Sequence, residues 1–290
     1  MPIAATELEF DAGAGQSNPA WDRAADGWNQ QSALIRTWLH DVTQAMLEAA
    51  DITPGARVLD IAAGAGDQTL DIARCVGPNG RVLATDISAR FLSLAQDKLR
   101  AAGQSQVDFR LADAQSLGLA GFHFDAAVCR LGLMFCMAPV QALVEIRKAL
   151  RPGGRFCALV FSKPQTNPCL PIMMSTALKA VGAPLRPPYE PGSLLSLGKP
   201  GLLLQLLQES AFVDARVQAV SVPFHVPTAR HYVDFVRSSG SPIMEILAPL
   251  PENAREAAWN SMTHQLEVYS TDTGWVGPNE LLLCSGTADF

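Results

Sequence analysis

Val58-Leu59-Asp60-Ile61-Ala62-Ala63-Gly64-Ala65-Gly66 is a short apolar run that ends on an acid and passes at once into small residues. A strand feeding such a turn leaves bare backbone at its carboxyl end. Ligand can approach there, because any side chain larger than a methyl would occupy its place. In a doubly wound sheet the ligand crevice lies outside the carboxyl ends of the strands, where strand order reverses. Asp60 closes the strand facing that crevice. Its carboxylate can order the loop or accept hydrogen bonds from an ammonium group, directly or through water.

The sequence on either side supports this reading. Downstream, strands are expected at 57–61, 81–85, 107–111, 124–129 and 155–161, with helices at 68–76, 89–102 and 139–150. Strands alternating with helices at this spacing imply a parallel sheet with helices on both faces. The fold class is therefore α/β, a Rossmann-like doubly wound sheet of seven mostly parallel strands with helical cap insertions. Residues 1–20 read as a loose arm, and 21–50 as one lid helix stopped by Pro54-Gly55. After residue 162 prolines punctuate the chain, with helices expected at 172–181 and 202–210, a strand at 212–220, mostly helix over 228–268 and a reversed final strand at 279–287. The expected division is an arm and lid over 1–50, a cofactor-binding core over 51–162 and a cap over 163–200. The core then continues over 201–227, a second cap follows over 228–275, and 276–290 holds the final strand.

Composition narrows the function. The chain has 290 residues, 48% hydrophobic and 17% charged, with a formal net charge of -6. Lys and Arg are scattered singly, whereas a nucleic-acid binder needs a basic face, so a small molecule is the expected substrate. None of the six cysteines forms a CxxC pair or has a histidine at zinc-like spacing. They are expected as buried thiols, with no metal site. The opening MPIAATELEF lacks the pattern of a signal peptide. No apolar run reaches the about 20 residues that span a bilayer. A soluble, cytoplasmic protein is expected, with a homodimer left open.

Two further acids stand behind the glycine turn. Asp86 ends the second strand, where a carboxylate can accept both hydroxyls of a ribose. Asp113-Ala114 follows the third, where a carboxylate can accept from an adenine amino group while the next amide donates to the ring. Arg130-Leu131-Gly132 ends the fourth at the crevice mouth. Singly, Asp86 also reads as a helix cap and Asp113 as a turn residue. Together, at the ends of successive strands, they read as a nucleoside site. A nicotinamide dinucleotide would want G-x-G-x-x-G opening the helix. Here Gly64-Ala65-Gly66-Asp67-Gln68-Thr69 puts Thr in the third glycine's place, and Asp67 is a poor neighbour for a pyrophosphate. S-adenosylmethionine has no phosphate and is favoured; an NAD(P)-dependent oxidoreductase is the alternative.

In order, VLDIAAGAG, VLATDIS, LADA, FDAAVCRLGLMF and LRPGGRF resemble class I S-adenosylmethionine-dependent methyltransferases, nearest the ubiquinone/menaquinone-biosynthesis type. The resemblance implies S-adenosylmethionine as donor and S-adenosylhomocysteine as product. It implies Asp60, Ala62, Ala63 and Gly64 at the methionine part, Asp86 and Ile87 at the ribose, Asp113 and Ala114 at adenine, and Arg130 in backbone contact near the methionine. WDRAADGWN is similar to the family's aromatic-rich N-terminal helix, which implies Trp28 over the donor. Ala62 departs from the family, which has glycine there; a methyl is small enough for binding to survive. Non-methylating enzymes that bind the same cofactor also use this scaffold, and that class stays open.

Methyl transfer from a sulfonium is an in-line displacement, which needs alignment and exclusion of water more than acid–base help. A base matters only when the acceptor must lose a proton. His231, His225 and His264 are the candidates, with Glu267 and Tyr189 behind them, and each histidine reads equally as an ordinary surface or core residue. Met134, Phe135, Met173, Met174 and Trp259 are expected as an apolar acceptor wall or as plain core. The expected reaction is methyl transfer to a small, fairly apolar organic acceptor through oxygen, carbon, nitrogen or sulfur.

Overall fold

The structure, a computed structural model, describes residues 17–121, 123–239 and 241–289. The expected arm lies outside them up to residue 16. Helices α1 (Pro19–Gln30) and α2 (Ser32–Ala49) precede β1 (Arg57–Ile61), α3 (Asp67–Val76), β2 (Arg81–Asp86), α4 (Ala89–Ala101) and β3 (Val107–Leu111). Then come β4 (Phe124–Arg130), α5 (Pro139–Ala149), β5 (Leu150–Phe161), α6 (Cys169–Ala180) and α7 (Leu202–Glu209). The chain continues with β6 (Phe212–Ser221), β7 (Phe224–Val226), α8 (Ala229–Ser239), α9 (Ser241–Leu247) and α10 (Glu252–Leu266). Strands β8 (Ser270–Thr271), β9 (Gly274–Gly277) and β10 (Glu280–Ala288) complete it.

The main sheet has seven strands in the order β3-β2-β1-β4-β5-β10-β6. Strands β1 to β5 pair in parallel, and β10 runs antiparallel to both β5 and β6. The Rossmann-like sheet with a reversed final strand is therefore present. Order reverses between β1 and β4, which opens the crevice at their carboxyl ends. Central β4 buries Phe124, Ala126, Ala127, Val128 and Cys129, the continuous apolar run that a strand covered on both faces requires. Edge strand β6 keeps mainly Phe212 inside and is otherwise exposed or half-buried.

The expected single helix over 21–50 is two. Both halves are helical for local reasons. Asn18 caps α1 by accepting from the Ala20 N–H, with Pro19 at the first helical position. In α2, Ile35, Leu39, Val42 and Met46 recur on one buried stripe. The break at Gln31 follows from packing. Helix α1 sits on α4, α8 and α9, whereas α2 sits on α3, β4 and β5. Gly27 makes the α8 contact possible, since a Cβ there would stand 1.9 Å from the Ser238 carbonyl oxygen.

A second sheet, β7-β9-β8, was not anticipated. Its strands are two to four residues long and too short to show a period. Strand β5 starts at Leu150 rather than 155, because Leu150 already pairs with Phe124 before a register shift at the Arg151-Pro152-Gly153-Gly154 turn. All six cysteines are free, and Cys129, Cys157, Cys169 and Cys284 are buried.

At the crevice floor two non-glycine residues adopt left-handed backbone: Ala62 after β1 (φ 54°) and Leu131 after β4 (φ 59°). Gly132 makes room for the Ala62 methyl, since a Cβ on Gly132 would fall 2.3 Å from it. The left-handed conformation costs an alanine roughly 1–2 kcal/mol. Ala62→Gly is therefore expected to stabilise the fold by about 1 kcal/mol, raising Tm by about 2 °C in thermal unfolding. A lowered Tm would show that the methyl's packing outweighs the backbone cost.

Candidate active site

A cavity of about 270 Å³ opens at the carboxyl ends of β1, β2 and β4. The last residues of β2 and β4 supply Asp86 and Arg130, the loops after β1 and β2 supply Ala62, Ala63, Gly64 and Ile87, and the loop after β3 supplies Asp113 and Ala114. Trp21 and Trp28 of α1 close it from above. Nine of the ten expected cofactor residues therefore share one cavity. Asp60 is the exception: it does not line the cavity, and of the two roles expected for it the structure shows the ordering of the loop. Its carboxylate is fully buried behind the wall, where it accepts from Thr69 Oγ1 at 2.6 Å and from Gln68 Nε2. It orders the loop and the start of α3. Burial pushes its pKa up to about 7, against the lowering effects of Thr69, Gln68 and the Arg130 charge.

Gln68 stands where Asp60 was expected. Its Nε2 donates to Asp60, which leaves Oε1 buried without a partner in a residue that lines the cavity. No motif singles it out, because the signal is the amide's orientation, which only the packing defines. Asp67 also departs from expectation. It faces away from the cavity, accepting from Ser32 Oγ and Lys98 Nζ, each at 2.6 Å. Its proximity to the turn therefore says nothing about a pyrophosphate.

Asp86 is not a helix cap; Ser88 caps α4 by accepting from the Phe91 N–H. Instead Asp86 Oδ2 accepts from the Gly64 N–H and Oδ1 from the Ser88 N–H, both at 2.9 Å. Burial pushes its pKa up to about 6 despite these bonds. Asp113 does act as a turn residue, accepting from the Gln115 N–H at 2.9 Å, while still lining the cavity. Arg130 is among the lining residues, and its guanidinium donates to Thr43 Oγ1 at 3.0 Å. Burial lowers its pKa while Asp67, Asp60 and Asp71 raise it, and a guanidinium stays cationic throughout.

Helix α1 is tied down on two sides. Asp22 accepts from Ser88 Oγ at 2.5 Å and from the Arg90 N–H, and Asp26 pairs with Arg90. Arg23 pairs with Glu245 of α9 at 2.6 Å. Beyond Trp28 the cavity becomes aromatic. Phe224 lies within 5.2 Å, centroid to centroid, of Trp38, Tyr232 and Phe235, and Trp38 also faces Phe161.

Residues 20–179, more than half of the chain, match the ubiE/COQ5 methyltransferase family. The chain belongs to this family. It is 41% identical over 122 residues to the ubiquinone/menaquinone biosynthesis C-methyltransferase UbiE of Pseudomonas aeruginosa (strain LESB58), covering 42% of this chain and 48% of that one. With UbiE of Hahella chejuensis it shares 35% identity over 150 residues, 51% of this chain and 60% of that one. The chain thus spans about half the length of the curated relatives it matches. The fold is shared with a putative methyltransferase from Bacillus halodurans C-125, at TM-score 0.58 and 17% identity, covering 86% of this chain and 99% of that one. It is shared as well with the [4+2]-cyclase SpnF, at TM-score 0.55 and 18% identity, covering 95% and 99%.

The ubiE/COQ5 match ends inside α6, and the histidines considered as bases lie beyond it. None lines the cavity, so all three expectations are corrected. His225 is exposed on β7, His231 is exposed and bonded to Thr228 Oγ1, and His264 is exposed against Glu267. Glu267 and Tyr189 are outside as well. Of the expected apolar wall, Met134, Phe135 and Met173 line the cavity, whereas Met174 and Trp259 are core. Tyr232, Phe235 and Phe224 were missed because their apolar spacing is that of any packed helix or strand.

The Asp86 shift makes stability depend on pH. With its folded pKa raised, the group's contribution is full below the unfolded value and lost as pH rises through about 6. Between about pH 4 and 7 the wild type is expected to lose roughly 3 kcal/mol relative to Asp86→Asn. Urea unfolding of both proteins across that range measures it; a constant difference would show an ordinary carboxylate.

Proposed function

We propose that this member of the ubiE/COQ5 methyltransferase family transfers a methyl group from S-adenosylmethionine to a small, mostly apolar organic acceptor. One observation carries the reading. A single cavity joins a polar half, made by the strand-end acids, to an aromatic half with no charged side chain among the described residues. The residues present fit the donor. The unpartnered Gln68 Oε1 suits an ammonium group, the Arg130 backbone the neighbourhood of the methionine part, and the Asp86 carboxylate a ribose diol. Asp113 and Ala114 suit an adenine edge. When bound, the donor supplies a methyl group already activated as a sulfonium.

The chain's own contribution is to align and to exclude water. Trp21 and Trp28 on α1 close one side, and the cap segments 163–200 and 228–275 close the other through Leu170, Met173, Tyr232 and Phe235. Among the described residues no histidine lines the cavity. Family membership sets the nicotinamide alternative aside. Among the described residues no helix is long and apolar enough to cross a membrane, and no group of side chains is arranged to hold a metal ion. We place the protein in the cytoplasm, acting on a small molecule rather than a nucleic acid.

Asp86→Ala removes the acceptor for the ribose hydroxyls. Two hydrogen bonds to a charged group are worth about 3 kcal/mol or more, so calorimetry should show S-adenosylhomocysteine binding about 100-fold more weakly. Unchanged affinity in a folded variant would sink the site assignment. Transfer of tritiated methyl across phenols, thiols, amines and acidic carbons then tests the reaction itself.

A further inference from the structure

The aromatic half of the cavity holds two polar side chains that each keep one atom without a partner among the described residues. Tyr232 is 3% exposed and Asn279 is 5% exposed, and both line the cavity. The Tyr232 ring stacks on Trp275 with centroids 4.7 Å apart and meets Phe224 edge-on at 5.2 Å. Its hydroxyl has no hydrogen-bond partner among the described residues. Asn279 gives Nδ2 to the Gly277 carbonyl at 3.3 Å and its own carbonyl to the Val222 N–H at 2.8 Å, which leaves Oδ1 unpartnered. Both residues belong to one patch. Val222 also accepts from Trp38 Nε1 at 2.9 Å, and Trp38 meets Phe224 edge-on at 4.8 Å.

Neither atom is fully buried in the way that Gln68 Oε1 is, so each is open to a bound molecule. On an otherwise apolar wall they offer a ligand one donor and one acceptor. We propose that Tyr232 and Asn279 determine acceptor specificity, with the Tyr232 hydroxyl donating to, and Asn279 Oδ1 accepting from, a polar atom on a neutral acceptor. This rests on the methyl-transfer reading above. Burial raises the Tyr232 pKa well above the usual tyrosine range, so the phenol stays protonated and acts as a donor. A hydroxyl serves both partners at once, since it carries a donor hydrogen and acceptor lone pairs. Anionic and cationic acceptors are disfavoured, as no charged side chain among the described residues of the aromatic wall offsets their desolvation. Both residues lie beyond the family-matched segment, so this specificity belongs to α8 and the turn before β10 rather than to the shared core.

The test uses 2-naphthol and naphthalene, which have the same ring system with and without a hydroxyl, and 2-naphthoate as a charged probe. Binding is read from quenching of tryptophan fluorescence, Trp28 and Trp38 lining the cavity, with and without S-adenosylhomocysteine. The wild type is expected to prefer 2-naphthol over naphthalene about tenfold, equivalent to about 1.4 kcal/mol, and to bind 2-naphthoate more weakly than 2-naphthol. Tyr232→Phe keeps the ring contacts and should reduce the preference to about twofold or less with naphthalene affinity unchanged. Asn279→Ala should also reduce it. An undiminished preference in both variants, an equal loss for both ring compounds, or no preference in the wild type overturns the proposal. Failure of the donor reading shows separately, as absence of S-adenosylhomocysteine binding to the wild type by calorimetry.

Discussion

The carboxylate of Asp86 holds the ends of two neighbouring strands together. By accepting from the Gly64 N–H it ties the β2 terminus to the loop after β1, and by accepting from the Ser88 N–H it sets the start of α4. A parallel sheet ends in loops that must turn back over its own edge, and their backbone groups need partners where water is scarce. Here a side chain provides them. Burial works against that arrangement, which is why the group sits near pKa 6. The backbone amides offset part of that desolvation, and the remainder keeps the carboxylate a ready hydrogen-bond acceptor at the cavity.

The roof over this floor is held differently. Arg23–Glu245 and Arg90–Asp26 are conspicuous, but all four side chains are largely exposed, and such pairs contribute about 0–1 kcal/mol each. Burial of Ala24 and Ala25, and the packing of Trp21 and Trp28 onto Phe135 and Phe235, remove far more apolar surface from water. The ion pairs thus orient α1 while the apolar face holds it. A roof kept down mainly by apolar contact keeps its hold as salt rises, whereas one held by its ion pairs would weaken.

Sequence reading reached furthest where local chemistry and tertiary position coincide. The strands from Arg57 to Phe161 alternate with helices because a buried parallel sheet demands apolar runs, and those runs are visible without a structure. Acids at strand ends were equally readable, since the topology alone puts them at the crevice. What failed depended on orientation. Asp60 and Asp67 lie beside the turn in sequence, yet one is sealed behind Gln68 and the other points to Lys98. The break at Gln31 was hidden because its cause, the approach of Ser238 to Gly27, is more than two hundred residues away. His231 and His264 looked available as bases because sequence cannot say which face of a helix meets the cavity.

The division between readable and unreadable also divides the function. Residues 20–179 carry the family's shared floor, and the same overall fold in the [4+2]-cyclase SpnF shows that such a scaffold does not by itself choose a reaction. Choice has to come from what faces the donor. In this chain that surface is built by Phe224, Tyr232, Phe235 and Asn279, from elements after the family match, together with Trp38 and Phe161 from within it. A neutral ring gains from displacing water along such a wall, whereas an ion would give up its hydration with no countercharge to replace it. Selection against charge follows from the wall as a whole. Selection among neutral molecules falls to the few polar atoms that the wall leaves unpaired.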